Sequence, residues 1–298
     1  SEAFLAAIKE SQTPTWKEMG PTEARRFFDA MPVFGSGPDI EEVWEREIAG
    51  VPTRLYRPAD ATAGRTLVYF HGGGWVLGNV QTHDALCRRL AEATNVTVVN
   101  VDYRLAPEHP FPAGIEDTHI VYRWLLQHGH SPAQIVIGGC SAGGGLTAAL
   151  LAQLKQTGEP LPAAGVLLSP WTDLTQSHES YITNADSDPV ISKAYLDRAS
   201  AWYLADTPPT DPLASPVFSD LSGLPPLLIQ VGEPEVMRDD ALAYAAKARA
   251  AGVEMTWETY PDVVHGWQDS DRVIPNIPEA VKARGQIGEF FRDQIAKI

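Results

Sequence analysis

Hydrophobic residues along this chain change their period several times. Residues 42–57 (EVWEREIAGVPTRLYR) alternate apolar and polar positions about Ala49-Gly50, which predicts an antiparallel hairpin at a sheet edge. Short apolar runs follow at 66–70 (TLVYF), 96–101 (VTVVNV), 135–138 (IVIG), 165–169 (GVLLS), 227–231 (LLIQV) and 256–260 (TWETY). Helix-like segments separate them at 82–93, 115–128, 144–156 and 239–251, the last stopped by Gly252. A final helix is expected near 278–297. Strands that alternate with helices at this spacing predict an α/β fold, a mostly parallel sheet covered on both faces.

Two regions depart from this rhythm. Residues 1–40 hold helix-like pieces at 3–10 and 21–30, broken by Pro14, Pro21, Pro32, Gly35 and Gly37. Residues 172–224 separate two strands without a strand signal of their own. They carry a helical run at 192–204, with Ser192 as its expected N-cap, and concentrate Tyr181, Tyr195, Trp202 and Tyr203. A long excursion after the C-terminal end of a strand suits a lid or a binding surface. Residues 1–40 and 175–215 are therefore expected to form a joint cap on a single domain spanning 1–298.

Composition narrows the partners. A chain of 298 residues, 44% hydrophobic and 20% charged, can bury a large core. Its net charge of −15 argues against nucleic acid or an anionic membrane surface as partner, since both need a basic patch. No apolar run approaches the roughly 20 residues of a membrane span. The segment SEAFLAAIKE has no basic region or apolar stretch of a secretory leader. Cys87 and Cys140 are too few for a disulfide scaffold, so a reducing, cytoplasmic location is expected.

The strongest chemical signal is residues 135–146, IVIGGCSAGGGL. A strand-like run ends in Gly139-Cys140-Ser141-Ala142-Gly143 and a helix-like run follows. A side chain at the tip of so sharp a turn takes a strained backbone, and flanking glycines leave room for it. The Ser141 hydroxyl would then stand at the sheet edge, beside the unpaired N–H groups of a helix N-terminus. That suits a nucleophile whose attack creates an oxyanion. His71-Gly72-Gly73-Gly74-Trp75 follows directly on the 66–70 strand. Its glycines can aim N–H groups inward, so Gly73, Gly74 and Ala142 are the expected oxyanion donors. His71, placed before the glycines, reads as a structural residue that holds the loop.

His265 lies just after the 256–260 strand and is the expected general base. The acid should follow the 227–231 strand, where Glu235 is the favoured residue and Glu233, Asp239 and Asp240 are its rivals. Asp239 and Asp240 also suit the cap of the next helix. Asp211 precedes the acid-bearing strand, and Asp262 sits too near His265 to do more than shape its loop. Trp75, Tyr181 and Trp202 are expected to line the substrate pocket. Metal binding finds no support: there is no HExxH or CxxC, and the eight histidines are scattered.

With these motifs placed, the chain resembles the hormone-sensitive-lipase family of α/β-hydrolases, and its bacterial esterases in particular. The resemblance runs from about residue 40 onward. It rests on HGGGW at 71–75, YRLAPE at 103–108 continuing to Phe111-Pro112-Ala113, GCSAGG at 139–144, EVMRDD at 235–240 and HGW at 265–267. It implies an eight-stranded sheet, a helical cap and hydrolysis of short-chain acyl or aryl esters through an acyl-enzyme. It also implies a small-molecule ester as partner, no cofactor and a homodimer. Two positions depart from the pattern. Most members carry an acidic residue where Cys140 stands, and Asp-Pro-Leu is common where Glu235-Val236-Met237 fills the acid slot. An amidase or arylformamidase on the same fold is an alternative, and so is a ligand-binding protein on a hydrolase fold.

Overall fold

Eight strands form one sheet in the computed structural model, which describes residues 19–31, 33, 35–272 and 274–296. The predicted hairpin is β1 (Glu42–Ile48) and β2 (Val51–Arg57), paired antiparallel about Ala49-Gly50. The remaining strands are β3 (Thr66–Phe70), β4 (Thr97–Val101), β5 (Ile135–Cys140), β6 (Ala164–Leu168), β7 (Leu227–Gly232) and β8 (Met255–Tyr260). Their spatial order is β1-β2-β4-β3-β5-β6-β7-β8, and every pairing from β4 onward is parallel.

The helices are α1 (Pro21–Ala30), α2 (Asp84–Thr94), α3 (Ala113–Gln127), α4 (Ala142–Thr157), α5 (Ser180–Thr183), α6 (Lys193–Leu204), α7 (Arg238–Ala250) and α8 (Pro278–Ala296). The two-residue period of the strands sorts them onto the two faces of the sheet. Leu67, Tyr69, Val98, Val136 and Val166 join Leu86 and Leu90 of α2 and Ile287 and Phe291 of α8 in one buried cluster. Val68, Phe70, Val99, Ile137 and Leu167 join α3, α4 and α7 in another. The central strands β3, β5 and β6 are buried along their whole length, which explains their unbroken apolar runs.

The insertion between β6 and β7 holds α5 and α6. Ser192 caps α6 through its side chain, which accepts from Tyr195 N at 3.3 Å. Upstream, α1 occupies the predicted 21–30, while the helix expected at 3–10 lies outside the described residues. Arg25 fastens α1 to the body: its Nε donates to Val76 O at 2.6 Å, and its guanidinium pairs with Glu108. No helix among the described residues is long and apolar enough to cross a membrane.

Parallel pairing brings the ends of β3, β5, β6, β7 and β8 to a single edge. Phe70 pairs with Gly139, Cys140 with Leu168, Leu168 with Gln230, and Gly232 with Tyr260. Each of the candidate residues follows one of these ends.

Close approach of helices fixes one position where no side chain is tolerated. A Cβ on Gly288 of α8 would lie 2.2 Å from Ala93 O of α2. Gly288→Ala should lower the urea midpoint by an amount equivalent to about 1–3 kcal/mol. The small helix-propensity gain of alanine opposes this. A midpoint equal to or above that of the parent would show that α2 and α8 can part without loss.

Candidate active site

The turn at Ser141 is built from close contacts. Ser141 has φ 57° and ψ −120°, a conformation that L-residues rarely adopt. It lets β5 turn directly into α4. A Cβ on Gly143 would sit 1.9 Å from Phe70 O, and one on Gly139 would sit 2.4 Å from the Gly143 carbonyl carbon. Only glycine fits at either place. The backbone of Ser141 is held on both sides, its N–H donating to Leu168 O at 2.8 Å and its carbonyl accepting from Trp171 N at 3.1 Å.

The glycine loop after β3 lies against this turn: a Cβ on Gly72 would be 3.3 Å from Ser141 Cβ. Gly73 and Gly74 have φ 122° and 64°. Among the described residues, no backbone acceptor takes the N–H of Gly73, Gly74 or Ala142. His71 anchors the loop. It is fully buried, stacks on Tyr103 with ring centroids 4.2 Å apart, and shares a 2.9 Å hydrogen bond between Nδ1 and Gly72 O. Burial pulls its pKa down to about 4, against a smaller upward pull from Gly72 O, so the ring is neutral. The YRLAPE motif supports the same loop. Tyr103 Oη donates to His71 O at 2.8 Å, Ala106 N donates to Trp75 O at 2.9 Å, and Arg104 pairs with Asp117.

Glu235 and His265 meet. His265 Nδ1 lies 2.7 Å from Glu235 Oε2, and the carboxylate is fully buried. Its other oxygen, Oε1, accepts from Ser169 Oγ at 2.7 Å and from Gly232 N at 2.6 Å. With Nδ1–H donated to a carboxylate, Nε2 is left as the free acceptor of the ring. Burial pushes the His265 pKa down, but the hydrogen bond and charge of Glu235, aided by the charge of Asp188, outweigh it and raise the net value.

The rival acids lie elsewhere. Glu233 is exposed. Asp239 accepts from Ser180 N and pairs with Arg238. Asp240 accepts from Tyr181 Oη, and burial raises its pKa. Asp211 closes its own turn onto Leu213 N and Ala214 N, and Asp262 is exposed.

Ser141 and His265 line one cavity of about 190 Å³. Gly72, Gly73 and Gly74 form part of its floor. Phe27 and Phe28 of α1, with Met31, supply one wall, and Val190, Ile191, Tyr195 and Leu196 of the insertion supply another. The three aromatics expected to line it do not. Trp75 is buried between Trp171 and Tyr203, stacked on the latter with centroids 4.1 Å apart. Tyr181 is buried and bonds Asp240. Trp202 is half-buried under the Arg198 guanidinium. Trp75 and Tyr181 are thus engaged in packing that ties the glycine loop and the insertion to the body, whereas Trp202 stacks within its own helix. Phe27, Phe28, Trp171, Tyr195 and Trp267 are the aromatics that line the cavity instead. Ser169 carries no motif of its own in the sequence; its place directly after β6, at the same edge, is what brings it to Glu235.

Five strand ends, a strained serine turn and a buried Glu–His pair define the class. The chain belongs to the α/β-hydrolase fold family, whose model matches residues 67–269. Within that family its relatives are esterases. It is 44% identical over 222 residues to an acetyl-hydrolase of Streptomyces hygroscopicus, covering 74% of each chain. It is 37% identical over 292 residues to an esterase of Acinetobacter venetianus, covering 97% of this chain and 94% of that one. The crystal structure of an esterase of the bacterial hormone-sensitive-lipase family superposes with a TM-score of 0.91 at 43% identity, over 99% of this chain and 97% of that one. The protein is a serine carboxylesterase of that type.

Cys140 lines the same cavity beside Ser141. Burial, then the charges of Glu235 and Asp269, push its thiol pKa far above the ordinary value, and burial does the same to Cys87. Thiolate is the reactive form. Iodoacetamide at about pH 8 should therefore leave both cysteines unlabelled in the native protein while labelling the urea-unfolded chain. Stoichiometric native labelling at Cys140, read by mass spectrometry, would contradict this assignment of its state.

Proposed function

We propose that Ser141 is the nucleophile, His265 the general base and Glu235 the acid of this esterase. Ser141 Oγ attacks the ester carbonyl carbon while His265 Nε2 takes its proton. The carbonyl oxygen becomes an oxyanion held by the N–H groups of Gly73, Gly74 and Ala142. Collapse of the tetrahedral species breaks the bond to the alkoxy oxygen, which leaves with the proton returned by His265. Water then attacks the acyl-enzyme by the same route and releases the acid. Glu235 keeps the imidazole in its Nδ1–H tautomer and stabilises the imidazolium formed in each step.

One observation carries this reading: the 2.7 Å contact of His265 with a buried carboxylate, at a cavity that Ser141 also lines. The presence of all three side chains supports a catalyst over a binding protein. Substrate size follows from the cavity. Its apolar walls and volume of about 190 Å³ suit short acyl or aryl esters. Sites for drug-sized ligands are larger, roughly 300–1,000 Å³. In this reading α1 and the insertion serve as the cap over that cavity. The enzyme acts as a cytoplasmic homodimer without a cofactor, and its charge of −15 supports the exclusion of nucleic acid as partner.

Ser141→Ala should lower kcat for p-nitrophenyl butyrate about 10⁵-fold or more, and Glu235→Gln about 10³–10⁴-fold. The neutral imidazole is the working base, and its pKa is raised. The acid limb of kcat/KM should therefore lie above the ordinary imidazole value of about 6.5, and Glu235→Gln should move it to lower pH. Full activity in Glu235→Gln would remove Glu235 from the mechanism.

Across a series of p-nitrophenyl esters, kcat/KM should be high from acetyl to hexanoyl and at least about tenfold lower for dodecanoyl. Equal values for butanoyl and dodecanoyl would rule out the short-chain reading.

A further inference from the structure

The segment 180–191 does more than wall the cavity, because it also binds the backbone of the loop that carries Glu235. Asn184 Nδ2 donates to Glu233 O at 2.8 Å and to Glu235 O at 2.9 Å. Ser187 Oγ donates to Pro234 O at 3.1 Å, and Ser180 Oγ to Val236 O at 2.7 Å. At the centre stands Asp188, buried with 5% of its surface exposed. One carboxylate oxygen accepts from Val236 N at 3.0 Å, one residue past Glu235. The other accepts from Val190 N at 2.9 Å and Ile191 N at 3.0 Å, two of the residues that line the cavity.

Three backbone N–H groups are thus the hydrogen-bond partners of a buried carboxylate. A group so placed is expensive unless a positive charge lies near. Burial, with a smaller push from the charge of Glu235, raises the pKa of Asp188 on balance, although the charge of His265 and the backbone bonds pull it down. Among the described residues, the titratable groups that bear on His265 or share its cavity are Glu235 from the acid loop, Asp188 from the insertion, Cys140 at the end of β5, Asp269 on the turn after His265 and His83 just before α2. Asp188 joins Glu235 in raising the imidazole pKa.

We infer that Asp188 is a positioning residue for ester hydrolysis: it fixes the Glu235 loop and the Val190–Ile191 wall as one unit and sets a second negative charge near His265. The inference rests on the Ser141–His265–Glu235 relay. Closing the cavity and orienting the base are then one structural event, because the same carboxylate holds both.

The test compares Asp188→Asn, Asn184→Ala and Glu235→Gln with the parent on p-nitrophenyl butyrate. Asp188→Asn keeps size and removes charge. Its kcat should fall about tenfold with KM within about twofold. Its acid limb should move to lower pH by about 0.5. Asn184→Ala loses two bonds to the same loop but no charge, so it should lower Tm and kcat and leave the limb in place. Parental kcat and limb in Asp188→Asn, alongside collapse of Glu235→Gln, would overturn the role of Asp188 alone. Parental kcat in Glu235→Gln would instead overturn the relay. Equal limb displacement in Asp188→Asn and Asn184→Ala would also overturn the charge role. If Asp188→Asn does not fold, Asp188→Glu carries the test: kcat should fall with the limb unmoved, and a parental kcat or a displaced limb would overturn the inference.

Discussion

Everything at this site depends on how closely α4 approaches the end of β3. The 1.9 Å that would separate a Gly143 Cβ from Phe70 O leaves no room for any side chain. That approach forces the chain to reverse within one residue, and Ser141 takes the strained φ that the reversal requires. Three consequences follow. The serine side chain is lifted out of the sheet. The first N–H of α4 is left without a backbone partner at the point where negative charge would develop. The glycine loop after β3 is drawn against the same serine, since it leaves the strand whose last carbonyl α4 touches. The buried strands around it, with two layers of helices, are what hold so tight a contact together.

The second constraint is electrostatic. Glu235 has no exposed surface, and a buried carboxylate stripped of partners costs about 3–5 kcal/mol. It is held by Ser169 Oγ, Gly232 N and His265, each positioned by a different strand end. Desolvation works against the imidazolium, yet the net pKa of His265 is raised, so attraction outweighs burial at this position. His71 shows the opposite balance. It is more deeply buried than His265 and lacks a hydrogen-bonded carboxylate, and its pKa falls. The two histidines differ in chemistry because one has an anion within hydrogen-bond reach and the other has a carbonyl.

Much of the fold was legible because its strands are buried on both faces and its helices are covered on one. Thr66–Phe70 was read to the residue, and Pro21–Ala30 likewise. The strand that carries the serine runs two residues past the predicted 135–138, since Gly139 and Cys140 still pair with Leu167 and Leu168. Glycine weakens a strand signal without ending the ladder. Helix α5 was not read at all, because four residues are too few to display a period. The Glu–His pair was legible from chain order and strand position. The cavity wall was not: Tyr181 and Trp202 lie in an aromatic-rich insertion and Trp75 ends the glycine loop, but residue type reports burial rather than direction. Trp75 turns into the packing with Tyr203, whereas Tyr195, two turns earlier on the helix of Tyr203, reaches the cavity. Asp188 carries no signal in sequence, since its partners are backbone groups two, three and 48 residues away.

Cys140 becomes intelligible in these terms. An acidic residue is the usual occupant of its position in the family the chain resembles. Here the neighbourhood already holds Glu235, with Asp188 and Asp269 close enough to bear on the site, and the charges of Glu235 and Asp269 act on Cys140 directly. A further carboxylate at 140 would add like charge beside a buried anion, which low local dielectric makes costly. A thiol is small enough for the gap beneath Gly266, where a Cβ would lie 3.6 Å from its sulfur, and it stays neutral. The substitution therefore leaves the imidazole facing two organised carboxylates, Glu235 in contact and Asp188 behind the acid loop, without a third competing at the base of the nucleophile turn.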